Sequence, residues 1–377
     1  MILDSRRSVS LVAPLIGDAE IRAVERVMRS GQLAQGPEVA ALEREFAAAV
    51  GTAHAVAVNS GTAAIHAALE ALGIGDGDEV LTTPFTFAAT ATPVLMQRAR
   101  PRFVDIDPRT FNLDVARAAS AAGAATKAFI GVDLFGLPFE ATGLEALASR
   151  GVAVVEDACQ AIGASREGVF AGARGAAAAF SLYATKNLMT GEGGMLTTGD
   201  AAVAASARRF RQHGMSEQYE YVSLGYNYRM TDLMAAIGRE QLRRLNDVTE
   251  RRRANAAFYD RELAGVPGLT PPFVPAGVEH AYHQYSILID GNLTKNGAER
   301  GAVRAALARD GIASGIYYPT TLPSNRLFAQ FGHGPGDFPV AERVAQQILA
   351  LPIHPKLTSE DVSYVARRLR AAVGEME

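Results

Sequence analysis

The chain has 377 residues, 48% of them hydrophobic and 20% charged, with a formal net charge of -3. That length supports a sizeable core and two domains, and the near-neutral balance gives no general attraction to nucleic acid or anionic membrane. The one cysteine, Cys159, excludes an internal disulfide framework and a cysteine-ligated iron–sulfur cluster, and it suits a reducing cytoplasm. Residues 1–17 hold no sustained apolar segment, so no signal peptide is expected, and no run reaches the roughly 20 apolar residues of a membrane span.

In chain order, Asp18–Arg29 reads as an amphipathic helix stopped by Gly31, with Ile21, Val24 and Met28 at helical spacing. A second helix is expected over Pro37–Val50, ended by Gly51. Short apolar strands then alternate with helical stretches. The strands are His54–Val58, Glu79–Thr83, Arg102–Ile106, Ala128–Val132, Val152–Glu156, Ala178–Leu182 and Met195–Thr198. This alternation predicts a mostly parallel sheet covered on both faces. The basic cluster Arg208-Arg209-Phe210-Arg211 reads as a solvated helix face. Thr231–Leu263 reads as one long helical stretch, with Arg243, Arg244 and Arg251–Arg253 on its wet side. The four prolines of Pro267–Pro275 mark a linker or edge. The remainder predicts a small α/β domain, with boundaries at 1–246 and 247–377. His280 and His283 stand three apart without the further ligands of a metal site.

Three stretches carry chemistry. Phe180-Ser181-Leu182-Tyr183-Ala184-Thr185-Lys186-Asn187 reads as a strand followed by a loop bearing a lysine. Only four of the 37 basic residues are lysines, and an amine can form a Schiff base where a guanidinium cannot. Val152–Asp157 is an apolar run closed by two carboxylates, Glu156 and Asp157. An acid at the carboxyl end of a buried parallel strand needs a partner, and a pyridinium nitrogen would supply one. Gln160, three residues on, could bond a ring hydroxyl. Asn59-Ser60-Gly61-Thr62 lies between a strand and a helix starting near Ala63, where backbone amides of a helix start can hold a phosphate. Phe85 and Phe87 lie just past another strand end, where an aromatic could cover a flat ring.

With these residues in place the chain resembles the DegT/StrS-type sugar aminotransferases, which use pyridoxal phosphate (PLP). The resemblance runs from Ser30-Gly31-Gln32-Leu33 through Pro84-Phe85-Thr86-Phe87, Glu156-Asp157-Ala158-Cys159-Gln160 and Thr185-Lys186-Asn187 to Gly225-Tyr226-Asn227-Tyr228-Arg229 and Phe338-Pro339-Val340-Ala341-Glu342. It implies an α/β protein of PLP-dependent transferase fold type I. That fold has a mostly parallel seven-stranded sheet sandwiched by helices, one strand antiparallel, and a smaller C-terminal α/β domain. It implies that Lys186 carries PLP and moves the proton, and that Asp157 holds the ring nitrogen. By the same resemblance Phe87 stacks on the ring, and Gly61, Thr62, Gln160 and Ser181 complete the cofactor set. Asn227 would reach the partner subunit's cofactor phosphate, making a homodimer with shared sites. L-glutamate is the implied donor and a nucleotide-linked ketosugar the acceptor. The Thr190–Gly194 and Asn227–Asp232 forms look more like the C4-aminating branch than the C3-ketosugar or cyclitol branches. Tyr317 and Tyr318 take the substrate-facing place, where many relatives have a histidine before the Tyr-Pro pair. A PLP-dependent sugar dehydratase is disfavoured by Lys186 and the lone cysteine. A non-catalytic regulatory protein of the same fold is the rival from another class.

Overall fold

The computed structural model describes residues 7–375; the first six residues of the segment read as lacking a signal peptide lie outside them. The central sheet has seven strands. From one edge to the other they run His54–Val58, Gly194–Thr198, Ala177–Ser181, Ala153–Asp157, Thr126–Val132, Glu79–Thr82 and Arg100–Phe103. Gly194–Thr198 pairs antiparallel with both neighbours, and the pairs on the far side are parallel. A parallel pair needs a crossover, whereas an antiparallel pair can be joined by a short connection. The connection from Ser181 to Gly194 is such a link, and it carries Lys186.

Alternation along the strands distributes the core to two faces. Val56 and Val58 pack with Ile65, Leu69 and Phe210 from the helices Gly61–Ala71 and Ala201–Arg211. Ala55 and Ala57 face the other way, onto Leu42 and Phe46 of the helix Pro37–Val50. Phe46 meets Phe180 edge to face at 5.0 Å. Each fully buried Leu or Phe contributes about 1.5–3 kcal/mol, so both helical layers are tightly bound to the sheet. The helix Pro37–Val50 begins with proline, whose missing N–H costs nothing there. Its other free amides are met from afar: the Asp232 carboxylate accepts from the amides of Gly36 at 2.8 Å and Val39 at 3.0 Å.

A second core lies around the antiparallel sheet Leu269–Thr270, Tyr285–Ile289 and Ile348–Leu351. The helices Leu245–Leu263, Arg300–Arg309 and Ser359–Ala372 cover it, burying Tyr259, Leu263, Val303, Leu307 and Leu369.

Several expectations need correction. The stretch Thr231–Leu263 is two helices, Asp232–Arg243 and Leu245–Leu263, broken at Arg244 with φ -111° and ψ 13°. The edge strand is Arg100–Phe103 rather than Arg102–Ile106; Pro101 is tolerated there because an edge strand has one side without ladder bonds. The arginines are not all wet. Arg211 is buried, and its Nη1 donates to Glu43 Oε1 and to the Ala57 carbonyl, both at 2.6 Å. Arg252 is only 5% exposed and donates to the carbonyls of Tyr282 and His283. Among the described residues no helix is long and apolar enough to cross a membrane.

Gly194 sits opposite both Val58 and Ser181. A β-carbon there would lie 2.2 Å from the Ser60 carbonyl oxygen. Gly194→Ala is therefore expected to destabilise the protein by about 1–3 kcal/mol, as overpacking does. Urea unfolding followed by circular dichroism measures it; an unchanged midpoint would mean that the strand and the Ser60 turn separate freely.

Candidate functional site

A cavity of about 570 Å³ opens at the carboxyl ends of the parallel strands. This is where ligands bind in sheets of this kind. Its lining brings together Gly61, Thr62, Phe87, Asp157, Gln160, Ser181, Lys186, Tyr317 and Tyr318. These came from strand ends and loops scattered over more than 250 positions of sequence. Asn227 is not in this lining. It is exposed, and its carbonyl accepts from Asn59 Nδ2 at 3.4 Å.

The loop bearing Lys186 is stapled to the returning chain. The amides of Leu182 and Ala184 donate to the carbonyls of Gly193 and Gly191, and the Thr190 amide returns a bond to Leu182. The Lys186 amide donates to the Tyr183 carbonyl at 2.8 Å. Asn187 Nδ2 donates to the Ala281 carbonyl at 2.8 Å, fixing the loop to the segment that leads into Tyr285–Ile289. The lysine head thus projects from a short, tied segment. Burial pushes its amine below the ordinary lysine range, against the opposing pull of the neighbouring Asp157 charge.

Facing it, the helix Gly61–Ala71 begins at the cavity wall. Ser60 caps it, its Oγ accepting from the Ala63 amide at 3.1 Å. The helix starts two residues earlier than the sequence indicates, because Gly61 and Thr62 already turn. A β-carbon on Gly61 would lie 2.8 Å from Cys159 Sγ and 3.0 Å from Ser181 Cβ. Glycine therefore lets three segments converge at one point. Burial, then the Asp157 charge, push the Cys159 thiol well up, so it stays neutral and packs as a filler.

Asp157 is 5% exposed at the end of its strand. Its Oδ2 accepts from Thr90 Oγ1 at 2.7 Å, and its Oδ1 from the Cys159 amide at 3.2 Å. Thr86 Oγ1 lies 2.9 Å from Thr90 Oγ1 and orients it. Gln160 is engaged at both ends. Its Oε1 accepts from the Phe135 amide at 2.7 Å, which fixes the amide orientation, and its Nε2 donates to Tyr318 Oη at 3.1 Å. Tyr318 therefore keeps its own hydroxyl proton to donate, and burial holds its phenol well above the ordinary range. Its ring stacks on Phe87 at 6.2 Å and 29°. Phe87 remains 60% exposed, whereas Phe85 is fully buried in the core.

Sequence reasoning assigns no site role to Thr90, Arg252, His283 and His354, which also line the cavity. His283 is pushed well down by burial and by the charges of Lys186 and Arg252, so it is neutral. A periodic helix pattern holds no signal for an arginine that turns inward to satisfy carbonyls. In the sequence His283 stands out only by its spacing from His280, which lacks the further ligands of a metal site.

Residues 14–370 match the DegT/DnrJ/EryC1/StrS aminotransferase family. The chain belongs to that family. It is 40% identical over 374 residues to the spore coat polysaccharide biosynthesis protein SpsC of Bacillus subtilis, covering 96% of each chain. It is 39% identical over 360 residues to a UDP-N-acetyl-3-dehydro-α-D-glucosamine 3-aminotransferase of Acidithiobacillus ferrooxidans, covering 95% of this chain and 94% of that one. Among solved structures it is similar to DesV of S. venezuelae, determined with a ketimine intermediate. The TM-score is 0.90 at 34% identity, with 95% of each chain covered. The protein is a PLP-dependent sugar aminotransferase of fold type I, a family that acts on nucleotide-linked ketosugars with an amino donor.

The residues present fit PLP. Asp157 is a buried carboxylate whose two bonds come from neutral donors, which leaves it to meet a protonated ring nitrogen. A helix start with Gly61 and Thr62 suits a phosphate, Phe87 offers an exposed ring face, and Lys186 offers an amine. Burial disfavours the charged form of that amine. In competitive acylation of the cofactor-free protein, Lys186 is expected to become reactive at lower pH than an ordinary lysine. Half-maximal labelling in the usual lysine range, near pH 10.4, would count against a desolvated amine.

Proposed function

We propose that the enzyme moves an amino group from L-glutamate to a nucleotide-linked 4-keto-6-deoxyhexose, aminating C4. Lys186, held in one cavity with Asp157, is the observation that carries the reading. Bound there, PLP supplies an electron sink for the electrons left when the donor loses its Cα proton. The protein groups do the rest. The Lys186 amine would hold the cofactor, and as a free base it would take up the donor's Cα proton and deliver it one position along. Its lowered basicity favours the free amine needed for both tasks. Asp157 keeps the ring nitrogen protonated. Ser181, Thr62 and the helix start at Gly61 hold the phosphate. Phe87 covers the ring, and Gln160 holds Tyr318 over the substrate side together with Tyr317.

A homodimer completes the site in this reading. Asn227 follows a segment whose Tyr219, Tyr221, Val222 and Leu224 are exposed, with Tyr219 at 76% and Leu224 at 71%. Apolar exposure of this kind favours a protein partner. Asn227 would then contact the partner subunit's phosphate. The division into a cofactor domain, residues 1–246, and a small domain, residues 247–377, and a cytoplasmic location belong to the same proposal. C3 amination is the second reading, favoured by the 39% identity to the Acidithiobacillus 3-aminotransferase.

Lys186→Ala is expected to fold and to lose a factor of at least about 10² to 10⁴ in turnover, the contribution of a positioned base. Normal turnover would remove Lys186 from the mechanism. To locate the new amine, the purified enzyme is given L-glutamate with 4-keto-6-deoxy and 3-keto nucleotide sugars in turn. An amine at C4, read by mass spectrometry and NMR, supports the first reading; an amine formed only at C3 replaces it with the second.

A further inference from the structure

Two carboxyl groups that the reaction does not use lie behind Asp157. Glu156 precedes it on the same strand, and Asp133 follows the neighbouring strand Thr126–Val132. Both are fully buried. Glu156 Oε2 accepts from the amides of Gly172 at 2.8 Å and Arg174 at 3.3 Å, and Asp133 Oδ1 accepts from the Phe139 amide at 2.9 Å. The remaining oxygens, Asp133 Oδ2 and Glu156 Oε1, are buried and have no donor among the described residues. The strand register sets the two side chains on one face of the sheet, Glu156 beside Gly131 and Asp133 two residues further on, and each carboxyl acts on the other's ionisation. Two ionised carboxylates are acceptors only, so neither bare oxygen can satisfy the other unless a proton lies between them.

We propose that Asp133 and Glu156 share one proton across Oδ2 and Oε1, and that the bridged pair positions Asp157 and Gln160. The charged groups around the pair set its charge. Arg174 gives its guanidinium to the carbonyls of Phe139, Arg166 and Val169. Arg166 is paired with Glu140 at 3.0 Å. Asp157 and the Cys159 thiol lie on the cavity side. One proton leaves the pair at a charge of about -1 against Arg174; without it two buried anions would face each other beside a third, Asp157. Burial pushes both carboxyls up, and the Glu156 charge raises Asp133 further, which keeps one proton on the pair.

The pair grips both cofactor-facing residues. The Asp133 amide donates to the Asp157 carbonyl at 3.0 Å. Asp133 also opens the tight turn Leu134–Gly136, whose Phe135 amide holds Gln160 Oε1. The positioning half of the inference rests on Asp157 and Gln160 serving the cofactor; the shared proton does not.

The test uses difference infrared spectra of the holoenzyme. A carboxylic-acid carbonyl band is expected in the wild type at neutral pH. It is expected to be lost in Asp133→Asn and in Glu156→Gln, where an amide N–H replaces the proton. Absence of the band in the wild type overturns the proposal, whatever the fate of the functional reading. Stability checks the sign. A carboxyl raised on folding gives stability that is full below its unfolded value, about 3.9 for Asp, and that is lost as pH rises through the folded value. The Tm of Asp133→Asn relative to wild type should therefore climb as pH rises, and a difference flat in pH would overturn the shared proton. For positioning, the visible cofactor band is titrated. The wild-type band should shift as the acid band disappears, and both amide variants should keep the unshifted band to higher pH. Cofactor titrations that coincide in all three proteins would overturn the positioning role while leaving the proton.

Discussion

A buried carboxylate without a cation is the constraint around which this protein is arranged. Asp157 ends a central strand, takes one bond from the Thr90 hydroxyl and one from the Cys159 amide, and forms no ion pair with Lys or Arg among the described residues. Neutral hydrogen bonds offset only part of the desolvation of such a group. The strand could have ended in a small apolar residue, as its neighbour Thr126–Val132 ends in valine. An acid at this place suits PLP, whose protonated ring nitrogen it would meet under the proposed function. The cost of holding Asp157 ready is met by the large apolar layers on both sheet faces.

Lys186 depends on a different constraint, the hand of one strand. Because Gly194–Thr198 runs antiparallel to Ala177–Ser181, the chain returns at once instead of crossing over through a helix. The lysine rides on that return. The same strand pairs with His54–Val58, the strand that leads into Ser60 and Gly61. Gly194 lets these backbones approach within contact of the Ser60 carbonyl. One antiparallel strand thus fixes the amine and the Ser60–Gly61 turn relative to each other, and the strand beyond Ala177–Ser181 brings Asp157.

What the sequence reveals follows from how local each signal is. The helix Pro37–Val50 is readable to the residue because proline and Gly51 mark its ends. The sheet, Lys186 and Asp157 are readable because apolar runs end in residues with distinct chemistry. The partners of these groups are not. Thr90 bonds Asp157 across 67 positions, Gln160 bonds Tyr318 across 158, and Asp232 caps a helix 193 positions away. Arg211 and Arg252 look like surface charge because helical periodicity registers only the average wetness of a face. A buried arginine held by carbonyls or by Glu43 leaves no mark in that average. The break at Arg244 is equally silent, since no glycine or proline occupies it.

These non-local bonds connect the segment after Asp157 to the tyrosine loop. Phe135 holds one end of Gln160 at 2.7 Å, and the other end holds the Tyr318 hydroxyl at 3.1 Å. Tyr318 stacks on Phe87, and its neighbour Tyr317 lines the same cavity. The tyrosine loop is therefore not an independent surface laid over a finished active site. Its position is set by the glutamine that follows Asp157, on the same short segment as the acid. Under the proposed function, a sugar that displaced Tyr318 would also displace Gln160, within three residues of Asp157. In that reading, substrate fit and the alignment of the cofactor residues are coupled through that one amide.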